Sequence, residues 1–389
     1  MRALFLILAI VALLSLLPAC GEKPPGGAES PAASAESQKS PEDQAFESVV
    51  NGFETGNFAG AIRAAQDFSD RYPESPRLPQ VLYLSGRASI SRGEFEAGEA
   101  TLQTMLDRFP DNENAAFAGF YRAQAIYLKT HAPVKEYKLE REAAMPGYEQ
   151  ALAAFEEVGE KHKGDAEVAA RSRLMAAQIL YDMGRREESL KEFQAYQDEQ
   201  PEGDYADQAL FQIGCLLMDL ERYEEATKIF DRLTREYPGN PNSGAAIDRI
   251  REMTLIGRPM PPLDNANWVT KAKKQDTSGK VVLIVFFNTW CPHCQHEVPR
   301  LEKVYRDLKD RGLVVLALTS HSKEQTDETV RGFASKHGLT FPIGVEPGKT
   351  ADAYAVGRIP AAAIIDRAGV VRWRNAGDLV NESLVERFL

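Results

Sequence analysis

Two hydrophobic periods divide the chain. From residue 44 to 255 apolar positions recur every three or four residues in paired blocks, the spacing of amphipathic helices. Beyond residue 257 they gather into short continuous runs separated by helical stretches, the spacing of alternating strands and helices. The break falls in Gly257-Arg-Pro-Met-Pro-Pro262, where three prolines in four residues end the helical pattern.

The helical region repeats. Phe58, Phe95, Tyr148 and Tyr223 each follow a Gly-containing or polar turn, and Arg186 holds the equivalent place in a further copy. Three residues on stands a small side chain: Ala61, Gly98, Ala151, Ser189 or Ala226. Fifteen residues on comes a loop position: Pro73, Pro110, Lys163, Pro201 or Pro238. Copies start 37 or 38 residues apart, except for one step of 53 that places a charged insertion around His131–Met145. Each copy predicts helix, tight turn, helix and a Pro-containing loop, with the small residue letting the paired helices approach. One hairpin cannot bury its apolar face, so neighbours must stack. The pattern resembles tetratricopeptide repeats, particularly the longer-loop kind of bacterial envelope lipoproteins, and implies a right-handed superhelix with a concave face. Such a solenoid either binds a protein partner or spaces the domain it carries.

After the break, strands are expected at about 281–287, 313–319, 341–344, 361–366 and 370–375. Helices are expected at about 292–310, 325–337, 350–355 and from about 380 to the end. Asp366-Arg-Ala-Gly369 joins the last two strands as a hairpin. Strand–helix–strand followed by strand–strand–helix is the thioredoxin plan. The fold class expected is thus multidomain: an all-α tetratricopeptide-like solenoid over 44–255, then an α/β thioredoxin-like domain over 257–389.

Charge changes the picture little. The net charge is −11. Residues 257–389 hold 19 Lys/Arg and 15 Asp/Glu, so the acidity lies in the remainder. A nucleic-acid binder would need a basic face, and none is predicted.

The N-terminus changes it more. Arg2 precedes an uncharged apolar run from Ala3 to Leu17, then Pro18-Ala19-Cys20. That is a signal peptide over 1–19, too short to span a membrane. The cysteine at the cleavage point resembles a bacterial lipobox, which implies lipidation of Cys20 and a membrane anchor; an ordinary signal peptide is the alternative. Gly21 after Cys20 leans toward the outer membrane by the same resemblance. Residues 20–43 are rich in Gly, Pro, Ser and Ala and predict a flexible tether. The rest then lies outside the cytoplasm, facing the periplasm, where disulfides persist. Only Cys215, Cys291 and Cys294 follow Cys20, too few for a disulfide framework. Cys215, in the apolar stretch 209–218, reads as a buried free thiol.

The chemistry is carried by Trp290-Cys-Pro-His-Cys294, directly after the apolar run 281–287. A buried strand thus leads into a Cys-x-x-Cys at a helix start, where unpaired N–H groups and the helix dipole favour a thiolate on Cys291. Cys291 is the expected nucleophile and Cys294 the resolving thiol of a reversible disulfide. No cofactor beyond that disulfide and no metal are expected; zinc would need two further ligands. Pro292 and His293 are the expected tuning pair, a charged His293 lowering the pKa of Cys291.

Trp290-Cys-Pro-His-Cys294, Glu297-Val-Pro299, Gly357-Arg-Ile-Pro360 before Ala-Ile-Ile-Asp366, and the lead-in from Gly257 together resemble the TlpA/ResA group of membrane-anchored thioredoxin-like oxidoreductases. The resemblance covers essentially all of 257–389. It implies a thiol–disulfide oxidoreductase acting on cysteines of exported proteins, leaning to reduction, with a membrane thiol relay as electron donor. The Pro-His dipeptide, shared with DsbA-type oxidants, points the other way. The resemblance also implies that Glu297 helps move the proton of the second thiol; a surface carboxylate paired with Arg300 is the alternative. The buried acid of ordinary thioredoxins aligns with Val285 and is absent. Ile359-Pro360 is expected as a cis-proline presenting the Ile359 backbone to an extended substrate, with Trp290 bordering the same surface. The rivals are a repeat-based assembly scaffold with a vestigial redox domain, and a thiol peroxidase. The latter typically carries Thr or Ser where Asn288 stands.

Overall fold

The computed structural model describes residues 39–263, 266–270, 276–322 and 324–389. The expected signal peptide, Cys20 and the tether as far as residue 38 lie outside the described residues. The tether was expected to run to residue 43. A helix instead begins at Pro41, because proline lacks only an N–H that a first turn leaves unpaired anyway.

The repeat region consists of α1 (Pro41–Glu54), α2 (Phe58–Arg71), α3 (Leu78–Ser91), α4 (Phe95–Arg108), α5 (Ala115–Lys135), α6 (Arg141–Lys161), α7 (Ala166–Asp182), α8 (Arg186–Glu199), α9 (Ala206–Asp219), α10 (Tyr223–Glu236) and α11 (Pro241–Met253). Phe58, Phe95, Arg186 and Tyr223 each open the second helix of a pair. The small residues three positions on are buried, and they close the pairs. A Cβ on Gly98 would lie 2.9 Å from the Gly86 carbonyl and 2.7 Å from Ile90. Ser189 fits because its hydroxyl donates to the Ala177 carbonyl at 2.7 Å.

The charged insertion differs from expectation. It is helical on both sides of a short turn at 136–140, and Tyr148 does not follow a turn. The extra residues lengthen both helices of one hairpin: α5 and α6 have 21 residues each, where α4 and α8 have 14. Pro133 and Pro146 lie inside these helices. The Pro-Gly pair that reads as a turn serves packing instead, since a Cβ on Gly147 would sit 2.2 Å from the Thr130 hydroxyl of α5. Polar contacts fasten the hairpin base. Tyr127 donates to Asp182 at 2.9 Å, and His131 Nδ1 lies 3.0 Å from the Tyr148 hydroxyl.

The C-terminal domain carries a six-stranded sheet in the order β1-β4-β3-β2-β5-β6. Its strands are β1 (Asn267–Trp268), β2 (Val281–Phe286), β3 (Leu313–Ser320), β4 (Ile343–Glu346), β5 (Ala361–Ile365) and β6 (Val371–Ala376). β2, β3 and β4 are parallel neighbours, whereas β5 and β6 run antiparallel. The two-residue β1, antiparallel to β4, was not anticipated. α12 (Pro292–Leu308) follows β2, and α13 (Asp327–Lys336), α14 (Lys349–Ala353) and α15 (Glu382–Glu386) complete the layers. Every residue of β2 is buried. Its odd positions join the core beneath α12 with Cys291 and Cys294. Its even positions face a second core closed by Tyr354, Leu255, Ile256 and Met260. A strand covered on both faces reads as an unbroken apolar run, as this one does.

The two domains share a buried polar seam. Glu252 of α11 is fully buried, 2.6 Å from Arg249 and 3.7 Å from Arg374 of β6. Asn375 donates to Asp219 of α9 at 2.8 Å, and Arg387 meets Glu221 with both guanidinium nitrogens at 2.6 and 2.8 Å. The connecting segment pairs with the sheet edge, Gly257 N–H to the Val371 carbonyl and Met260 N–H to that of Gly369. Among the described residues no helix is long and apolar enough to cross a membrane.

Candidate active site

β2 delivers Asn288–Cys291 to the carboxyl end of the sheet, and α12 begins at once. Cys291 is the N-cap of α12, and Pro292 occupies the first helical position. Cys291 is 7% exposed and Cys294, one turn in, is fully buried; both are free thiols. Cys291 is thus more covered than its place at a helix start suggests.

The two sulfurs are pushed apart electrostatically. The Cys294 thiol donates to the Cys291 sulfur. That contact, with the backbone N–H groups of Cys294 and His293 and the charge of His293, brings Cys291 down to about 6 against the opposing effect of burial. The same hydrogen bond, together with burial, drives Cys294 far up. His293 contributes to this lowering, but the partner thiol contributes more. Alkylation of the reduced protein by iodoacetamide is expected to rise with a midpoint near pH 6, the pKa of Cys291. The thiolate forms as pH climbs through that value, so the rate should fall about tenfold per unit below it. Cys294 should stay unmodified until the protein unfolds. A midpoint near that of a free thiol, about 8.5, would show that the helix start does not activate Cys291.

A buried glutamine that sequence reasoning missed holds the loop before the cysteines. Gln325 is fully buried; its Oε1 accepts from the Thr289 N–H at 2.6 Å and the Thr289 hydroxyl at 3.0 Å. Its amide nitrogen lies against Asn288 Oδ1 at 3.0 Å, the Ser320 carbonyl at 2.8 Å and the Thr319 hydroxyl. This use of Gln325 shortens the helix expected from 325. α13 begins only after Thr326, which caps it through a reciprocal bond with Thr329.

Glu297 lies one turn beyond Cys294 and is 7% exposed. His296 Nδ1 reaches one of its oxygens at 3.0 Å, and Arg300 donates to the other at 2.8 Å. It pairs with Arg300, yet it is not a surface group. The Ile359–Pro360 bond is cis, and Ile359 packs against the core cluster that holds both cysteines. Trp290 is half exposed beside them. Cys215 departs from expectation: it is only partly buried, on α9, although desolvation still raises its thiol to about 11. Among the described residues no cluster of three or more His, Cys, Asp or Glu is gathered to hold a metal ion.

The AhpC/TSA family matches residues 256–374, an outer membrane lipoprotein family matches 38–162, and a tetratricopeptide repeat matches 174–241. The thioredoxin-like protein YneN of Bacillus subtilis is 36% identical over 118 residues, 30% of this chain and 68% of YneN. The chain belongs to the thioredoxin-like family. A second relative, the thiol-disulfide oxidoreductase ResA of Bacillus thuringiensis, is 33% identical over 115 residues. That match takes in 29% of this chain, which spans 65% of the length of ResA. The crystal structure of a thiol-disulfide isomerase from Corynebacterium glutamicum aligns at 27% identity, over 34% of this chain and 96% of the other, with a TM-score of 0.31. Within this thioredoxin-like chain the repeat helices and the redox domain form one compact unit.

Proposed function

We propose that the chain is an envelope thiol–disulfide oxidoreductase that reduces disulfides in exported proteins. The observation that carries this is the split pair: Cys291 poised as thiolate at the N-cap of α12, and Cys294 held as thiol behind it. The Cys291 thiolate attacks a substrate sulfur, forming a mixed disulfide and releasing one substrate thiol. Cys294 then loses its proton and attacks Cys291, releasing the second thiol and leaving the Cys291–Cys294 disulfide. Two electrons have passed to the substrate, and a membrane dithiol relay returns them. In this reading Glu297 takes that proton, which its burial one turn from Cys294 supports. The cis Ile359–Pro360 segment and Trp290 border the substrate chain. The match to an outer membrane lipoprotein family supports lipid anchoring at Cys20 in the outer membrane, facing the periplasm, and the repeats support a protein partner on the solenoid.

Magnitudes favour reduction. At pH 7 a thiol at about 6 rather than about 8.5 stabilises the dithiol by about one pKa unit, or about 30 mV toward oxidising. Thioredoxin and DsbA differ by about 150 mV, so the lowered Cys291 is too small a lever to make an oxidant. Equilibration with glutathione buffers and thiol trapping tests this. A potential near about −270 mV is expected. One near about −120 mV would reverse the direction, and a pair that never exchanges would move the function to the solenoid.

A further inference from the structure

The lengthened α5–α6 hairpin ends on the redox site. Its tip turns at Tyr137, whose hydroxyl lies 2.5 Å from His293 Nδ1. The Tyr137 ring stacks on His296 at 3.9 Å between centroids and 17° between planes. One side chain from the repeats therefore fits between the histidine beside Cys291 and the histidine that contacts Glu297.

We infer that Tyr137 is a positioning residue of the redox site, holding the His293 imidazole beside the Cys291 sulfur. This rests on the oxidoreductase reading above. Three observations carry it. The hydroxyl can accept from a charged His293 and donate to a neutral one, so it holds the ring in either state. Burial, then the nearby Glu297, Asp378, Cys291 and Cys294, keeps the Tyr137 hydroxyl protonated, so it adds no negative charge against the thiolate. Finally, Tyr137 has φ +56°, a left-handed conformation that suits glycine or asparagine better. A tyrosine kept in such a turn points to use of its side chain.

The groups facing the site are His293, Cys294, His296 and Glu297 of α12, Arg300 behind Glu297, Asp378 after β6, and Tyr137 itself. Removing only the hydroxyl leaves this set and the ring stack in place. In the full chain, Tyr137→Phe should move the Cys291 alkylation midpoint upward by about half a pH unit, about a threefold loss of thiolate well below pH 6 and about twofold at pH 6. In a His293→Ala background the same change should move it no further. Coincident wild-type and Tyr137→Phe profiles would overturn the inference, as would an equal shift without His293. A wild-type midpoint near that of a free thiol would overturn the activated-thiolate reading itself, a separate and recognisable failure. Tyr137 is 36% exposed at a turn, so folding is not at stake in the variant.

Discussion

Cys291→Ser should reduce disulfide exchange to the uncatalysed rate, a loss on the order of 10³-fold or more. A serine hydroxyl neither ionises at working pH nor forms a disulfide. Cys294→Ser should behave differently. Its Cys291 still attacks, but nothing resolves the product, so the protein should accumulate as a mixed disulfide with a model substrate, visible by mass. The two cysteines are thereby separated by role, as their opposite electrostatic shifts require. Reduction of a protein disulfide by the full chain gives the first readout and intact mass the second. Undiminished exchange by Cys291→Ser would leave the repeats as the functional part and support an assembly scaffold.

The second large effect lies at the seam. Glu252→Ala should destabilise the protein by about 3–5 kcal/mol, because it strands two buried guanidinium groups without their counter-ion. Burial lowers both Arg249 and Arg374, and Arg374, at about 10, remains charged at neutral pH. Glu252→Gln, which keeps an acceptor for Arg249, should cost less. All three tryptophans, Trp268, Trp290 and Trp373, belong to the redox domain, so their fluorescence reports on that domain while helical circular dichroism reports mainly on the solenoid. In urea the Ala variant should show both midpoints lowered and drawn apart. A midpoint unchanged from wild type would mean that the seam contributes nothing to cohesion.

The repeat register was readable because close helix packing tolerates only small side chains at Ala61, Gly98, Ala151, Ser189 and Ala226. The redox centre was readable because strand, cysteine pair and helix start are contiguous. What escaped was non-local. Tyr137 meets His293 across 156 residues, and Asn375 meets Asp219 across the same separation. Gln325 looked like the first residue of a helix, yet it satisfies a buried strand end. Nothing along the chain shows that Glu252 and Arg374 face each other. In the insertion, Pro133, Pro146 and many charges oppose a helix. The Tyr127–Asp182 and His131–Tyr148 contacts and the Gly147 crossing override that preference.

The shared seam has a consequence for encounter kinetics. A flexible linker would let a tethered thiol sweep a volume, with an effective concentration set by linker length. Here the connecting segment is paired to the sheet edge and the seam is closed by ion pairs, so Cys291 stays at one vector from the repeats. If, as proposed, a protein partner seats on the solenoid, it presents to Cys291 only those cysteines that fall at that distance. For these the reaction is intramolecular, and for all others the enzyme remains a dilute stranger in the same compartment.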